Sequence, residues 1–265
     1  MTTSRRPSSA APASIARSAA QRIHKDLRIR NPAEIDVELI AAHHGIEVRY
    51  RSLTNAEGHL LRAGSRAIIV VDARHHGTEK GRFTIAHELG HFFRHEGIDQ
   101  LDLSLCTSKD LNDWYSNSGF EREANIFAAE LLMPESLFAR RCDRNRPSLH
   151  DVRELAAEFR TSLTSTAIRF VEHSPEPCAV VHSTDGVIDW AFRTRDFAFW
   201  PTRGERLTTA TYAGDLFAGK PVDDRPQLID GAAWPGGVDI DVQEHSIRLG
   251  GYARVLTLLW HRYRE

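Results

Sequence analysis

The sequence is short of cysteine, of long apolar runs and of charge imbalance, and each shortage removes a class of function. Its three cysteines, Cys106, Cys142 and Cys178, lie far apart and form no CxxC pair. Neither a disulfide framework nor a cysteine zinc knuckle is indicated, and a reducing cytoplasm is the simplest setting. The longest aliphatic run is AIIVV at 67–71, far below the roughly 20 apolar residues that span a bilayer, so no transmembrane helix and no membrane partner are expected. Arg5 and Arg6 near the start are followed by Pro, Ser and Arg rather than an apolar core, and residues 1–20 are read as a disordered tail. A net charge of −2 gives no global electrostatic reason to bind nucleic acid or anionic lipid.

What is present is enough apolar material, 41% of 265 residues, for one large domain or two modest ones. Helical spacing at 18–27 and over NPAEIDVELIAAHHG, with Asp36 as cap and Gly45 as stop, gives way to a strand-like texture. IEVRYRSL (46–53), EGHLLRA (57–63) and RAIIVVD (66–72) suit a small sheet. Segments 77–95 and 120–134 return to helical spacing, the second closed by Pro134. Residues 139–173 read as two or three short helices. From Pro175 onward, CAVVHS, GVIDWAF, HSIRLG and YARVLTLLW predict a second, β-rich unit.

The chemistry-bearing stretch is GRFTIAHELGHFFRHEG, 81–97. With 14 histidines in the chain, His-Glu-x-x-His alone has chance as a serious rival. On a helix, however, residues four apart share a face, so His87 and His91 can reach one ion. Glu88 lies at the edge of that face, where its carboxylate reaches a water rather than the ion, the position of a general base. Two histidines do not complete a catalytic zinc site, which needs three protein ligands and an open fourth position. FEREANIFAAELLMP (120–134) offers Glu121 as the third ligand and, four residues on, Asn125 to hold a ligand imidazole by hydrogen bond. Glu123 is the fallback ligand if the register differs. His75, His76 and His95 are read as surface residues, and Glu130 as lying on a solvated or capped part of its helix.

AHELGHFF followed by EREANIFAAELLMP resembles the ImmA/IrrE family of metallopeptidases over roughly residues 20–140. The resemblance implies His87, His91 and Glu121 as ligands and Glu88 as catalytic acid/base. It also implies an α+β fold. A mainly helical, zincin-like peptidase domain with a small sheet (21–140) would be followed by a short helix-turn-helix-like segment (141–174). A C-terminal α+β, GAF-like sensory domain (175–265) would complete it. The implied cofactor is Zn2+, although a His/His/Glu set also accepts other divalent ions such as Mn2+. The implied partner is a protein substrate, a helix-turn-helix repressor or antitoxin whose cleavage relieves repression. The long polar insertion at 97–119 departs from the family pattern.

Two other readings compete. The first is a DNA-binding or ligand-sensing regulator that keeps the peptidase fold without proteolysis. The spacing of Leu155, Phe159, Leu163, Ala167 and Phe170 suits two packed helices with a tight turn near Thr161. The second of those helices carries only Arg169 as a cation, whereas sequence readers expose several base and phosphate contacts, so a helical spacer is favoured over direct nucleic-acid binding. The basic cluster Arg140, Arg141, Arg144, Arg146 and Arg153 is read as a solvated helix boundary. The second competing reading is a zinc hydrolase of non-peptide amides.

Overall fold

The computed structural model describes residues 12–63, 66–94, 104–106, 119–144, 146–250 and 253–262. Two compact units divide the chain at Leu137 and Phe138. Both mix helix and sheet, the α+β composition that the alternation of periods predicts.

The first unit opens with α1 (Pro12–Asp26). The helix begins well inside the segment read as a tail and sends Ala20 and Ile23 into the core, so the boundary at residue 20 is corrected. Polar Ser and Arg residues on its outer face masked that stripe. Next comes α2 (Val37–His43), capped by the Asp36 side chain, which accepts from the amides of Glu38 and Leu39. Gly45, at φ +73°, turns the chain out of it.

Strands β1 (Ile46–Arg51), β2 (Gly58–Ala63) and β3 (Arg66–Asp72) follow, and β4 (Ser104–Cys106) lies inside the 97–119 insertion. Their spatial order is β1-β3-β2-β4, with β1 and β3 parallel and the other pairs antiparallel. Between β3 and β4 comes α3 (Glu79–Arg94), and after β4 comes α4 (Gly119–Leu132). Ile69 and Val71 of the sheet, Ile85, Ala86 and Leu89 of α3, and Phe127, Ala128 and Leu131 of α4 share one buried cluster. Each such large aliphatic side chain contributes about 2 kcal/mol when fully buried.

The second unit holds α5 (Leu149–Phe159), α6 (Leu163–His173), α7 (Tyr212–Phe217) and an antiparallel five-stranded sheet. The strands are β5 (Cys178–Thr184), β6 (Val187–Arg193), β7 (Gln227–Asp230), β8 (Asp241–Arg248) and β9 (Arg254–Trp260). Their order is β6-β5-β9-β8-β7. The 149–173 helices belong to the same compact unit as this sheet. Short β7 and α7 carry little periodic signal and are not legible in the sequence.

Helices α3 and α4 approach each other closely at Gly90. A methyl group there would sit 2.9 Å from Cα of Ala124 and 3.2 Å from Cβ of Phe127. Helix propensity alone favours alanine over glycine by about 0.8–1.0 kcal/mol, but the obstructing atoms are backbone or the Cβ fixed to it and cannot rotate away. Overpacking of this kind costs about 1–3 kcal/mol. Gly90→Ala is therefore expected to destabilise the protein by about 1 kcal/mol, read as a lowered urea midpoint in metal-free buffer; a raised midpoint would show that the helices part freely.

Candidate metal centre

The close contact at Gly90 sets the distance at which side chains of α3 and α4 face each other. Because Ile85, Ala86 and Leu89 are drawn into the core, α3 is locked in rotation. His87 and His91 are then buried against α4, with Glu88 beside them. The helix start is fixed by Thr78, whose Oγ1 accepts from the Gly81 amide. Gly81 itself packs so tightly on the His75 carbonyl that no side chain would fit.

His87 Nε2 lies 3.0 Å from Glu121 Oε2 and 3.0 Å from His91 Nε2, and His91 Nε2 lies 3.3 Å from Glu121 Oε1. On the opposite edge of the His87 ring, Nδ1 donates to Asn125 Oδ1 at 2.8 Å. Burial, the largest influence, holds the His87 imidazole below its ordinary value despite the neighbouring Glu121 carboxylate. Burial would raise Glu121, but its contacts with His87 and His91 outweigh that and hold its carboxyl well below the usual range. These shifts assign the shared proton differently. The burial of His87 and its bond to Asn125 favour a neutral ring protonated at Nδ1.

That assignment tests whether a metal suits the site. With the proton on Nδ1, the Nε2 lone pair points at a carboxylate oxygen and at another imidazole nitrogen. Lone pairs set this close inside protein repel unless a cation lies among them, and two imidazoles with one carboxylate are a donor set that zinc takes. The residues fit a divalent ion, with His87, His91 and Glu121 as its holders and Asn125 fixing the tautomer. Half-buried Glu123 is not part of the convergent group.

Glu88 is wholly buried, and neither carboxylate oxygen has a hydrogen-bond partner among the described residues. Burial, reinforced by the Glu121 charge, pushes its carboxyl well above the ordinary value; the Leu60 backbone opposes this without forming a bond of normal geometry. Strand β2 borders this carboxylate: a side chain at Gly58 would strike Thr84 and come within 3.8 Å of Glu88 Oε1. Gly58 and Gly90 both shape the site. The glycine inside HELGH was the available signal for the second, whereas nothing in the sequence marked the first.

Of the two settings expected for Glu130, solvated or capped, the solvated one is corrected. It is buried, lies 3.8 Å from Arg17, accepts from Gln21 Nε2 at 3.1 Å, and caps the Glu135 amide at 3.2 Å. Two of its partners come from α1: Gln21 lies within the helical spacing at 18–27, whereas Arg17 falls in the segment read as a tail. His75 is half-buried against Glu57 and His76 is exposed, while His95 lies outside the described residues.

A second cluster, His150, Asp224 and His245, also brings donor atoms together. His245 Nδ1 accepts from the Leu149 amide at 3.0 Å, which leaves the proton on Nε2, the atom that faces Asp224. His150 Nε2 donates to the Asp224 carbonyl at 2.7 Å. The ring nitrogens that face Asp224 therefore carry protons rather than ligand lone pairs, and this cluster is a hydrogen-bonded structural unit.

Comparisons with known proteins bear on the region that holds the first site. Residues 41–171 match the family model of the IrrE N-terminal-like domain. Over 143 residues the chain is 29% identical to the radiation response metalloprotease IrrE of Deinococcus radiodurans, an alignment covering 52% of this chain and 40% of that protein. The chain thus spans about two fifths of that relative's length. A solved structure of a Mycobacterium tuberculosis transcriptional regulator shares the fold with a TM-score of 0.58 at 18% identity, covering 93% of this chain and 76% of the other. The matched region contains both site helices, and both matches support its place in the ImmA/IrrE family of metallopeptidases.

Proposed function

We propose that the chain is a divalent-metal endopeptidase, with Zn2+ as its ion, that cuts a helix-turn-helix repressor or antitoxin and so relieves repression. The observation that carries this reading is the convergence of His87, His91 and Glu121 beside a buried, unpartnered Glu88. Family membership supplies the peptidase class, and the repressor substrate is inferred from the family resemblance. The free, buried Cys142 and Cys178 suit a reducing cytoplasm, and no described helix is long and apolar enough to cross a membrane.

A bound divalent ion would supply Lewis acidity, polarising a peptide carbonyl and making a water acidic near neutral pH. The rest falls to the chain. His87 and His91 present Nε2 lone pairs, and Asn125 keeps His87 in the tautomer that has one to present. Glu88 takes a proton from the attacking water onto a carboxylate oxygen and delivers it to the leaving amine nitrogen. Its dry surroundings raise its proton affinity toward that of the groups it serves, which suits both transfers.

The domain assignment that accompanies this reading is a peptidase unit reaching from α1 to about residue 140, a helix-turn-helix-like spacer at 141–174, and a sensory, GAF-like unit at 175–265. Against direct DNA reading, Arg169, the single cation of α6, is buried and paired with Glu172 at 2.8 Å. No cation of that helix is left to reach phosphate.

Three outcomes test the site. Glu88→Gln is expected to retain metal while cleavage of a repressor encoded beside the protein falls by about 10²–10⁴-fold; gel analysis of paired digests decides, and undiminished proteolysis would remove Glu88 from the mechanism. Metal analysis of purified variants should show Glu121→Ala depleted and Glu123→Ala loaded, and the reverse would move the third ligand. Asn125→Ala should weaken metal binding by about 10–100-fold in chelator competition, while wild-type affinity would reduce Asn125 to a packing role.

A further inference from the structure

We infer that the second unit carries a binding cleft for a small organic anion, a molecule with a carboxylate or phosphate beside a flat apolar portion. The inference rests on the cleft's own chemistry and is independent of the peptidase reading. The cleft, half open to solvent, has a volume of about 1050 Å³, just above the roughly 300–1,000 Å³ typical of small-molecule sites. Part of its lining is a row across three strands: Leu228 of β7 is in register with Gln243 of β8, which is in register with Trp260 of β9.

Two features define the ligand. First, Trp260 is only 5% exposed, and its indole Nε1–H has no acceptor among the described residues. A buried donor without a partner is costly, and indole cannot accept instead, so this wall of the cleft holds an unsatisfied polar atom. Second, Arg146, Arg225 and Arg262 line the same space, against Asp241 as its one acidic residue. None of the three guanidiniums is ion-paired among the described residues, whereas neighbouring Arg144 is taken by Asp151 at 3.4 Å. Asp224, beside Arg225 in sequence, is engaged instead with His150 and His245.

Planar guanidinium forks bind carboxylate and phosphate in bidentate fashion. Apolar Leu228 and Ile240, which also line the cleft, have nothing to offer an inorganic ion. They suit the flat portion of an organic one. Exposed Leu228 is then a contact surface rather than an isolated surface leucine.

The test uses the full ¹⁵N-labelled chain, whose five tryptophans give one indole cross-peak each. Trp260→Phe identifies the Trp260 peak; if that variant does not fold, triple-resonance assignment of the wild type replaces it. Titration with phenyl phosphate or benzoate is expected to move this peak saturably with a Kd of about 1 mM, while uncharged benzyl alcohol leaves it in place. The double variant Arg225→Ala, Arg262→Ala, which alters exposed or rim positions, should raise that Kd by about tenfold or more. Failure of both anions to move the peak, equal movement with benzyl alcohol, or an unchanged Kd in the double variant would overturn the proposal.

Discussion

The metal centre depends on one contact, the approach of α3 to α4 at Gly90 and Ala124. The histidines sit on one helix and the carboxylate and amide on the other, so interhelical distance and ligand spacing are the same variable. A few tenths of an ångström between the backbones would be transmitted to three donor atoms that must meet one ion. The core residues Leu89 and Phe127 hold the two helices in rotation while the missing side chain of Gly90 sets their separation. Packing that looks like ordinary core formation therefore also determines the chemistry. Unpartnered Glu88 exists only because the same packing excludes water from its carboxylate.

Much of this was legible in the sequence because helical periodicity is informative over long segments. The histidine pair, the acid between them and the Glu121/Asn125 pair each share a face by arithmetic, and the structure brings the predicted residues together across the helix interface. Legibility failed where the deciding contact is distant in sequence. The burial of Glu130 was not legible because two of its partners, Arg17 and Gln21, lie more than a hundred residues away on a helix whose first turns resembled a tail. Gly58 was silent because its importance lies in what packs over it, Thr84 and Glu88, and a strand glycine does not announce its neighbours. The parallel pairing of β1 with β3 is likewise a matter of topology rather than pattern.

In the second unit the β texture was visible from Pro175 onward, but the role of its residues was not. Arg169 looked like the one available cation of a reading helix and is instead folded inward against Glu172. His245 sits among possible ligands, yet its proton is fixed by the Leu149 amide at the start of α5. In both cases residue type suggested one partner and hydrogen-bond direction assigned another. Direction is a property of three-dimensional arrangement and is absent from composition or spacing.

The setting of Glu130 bears on how the peptidase unit can be separated from the rest of the chain. A cut at residue 20, where the sequence suggests that the folded part begins, would pass through α1. It would remove Arg17 and Ala20, leaving a buried carboxylate on the site helix stripped of its cation and an opening over Leu131. The shortened chain would contain every candidate ligand, yet a buried carboxylate on the helix that carries Glu121 would have lost a nearby cation. The dispensable-looking N-terminal segment is the back wall of the metal centre.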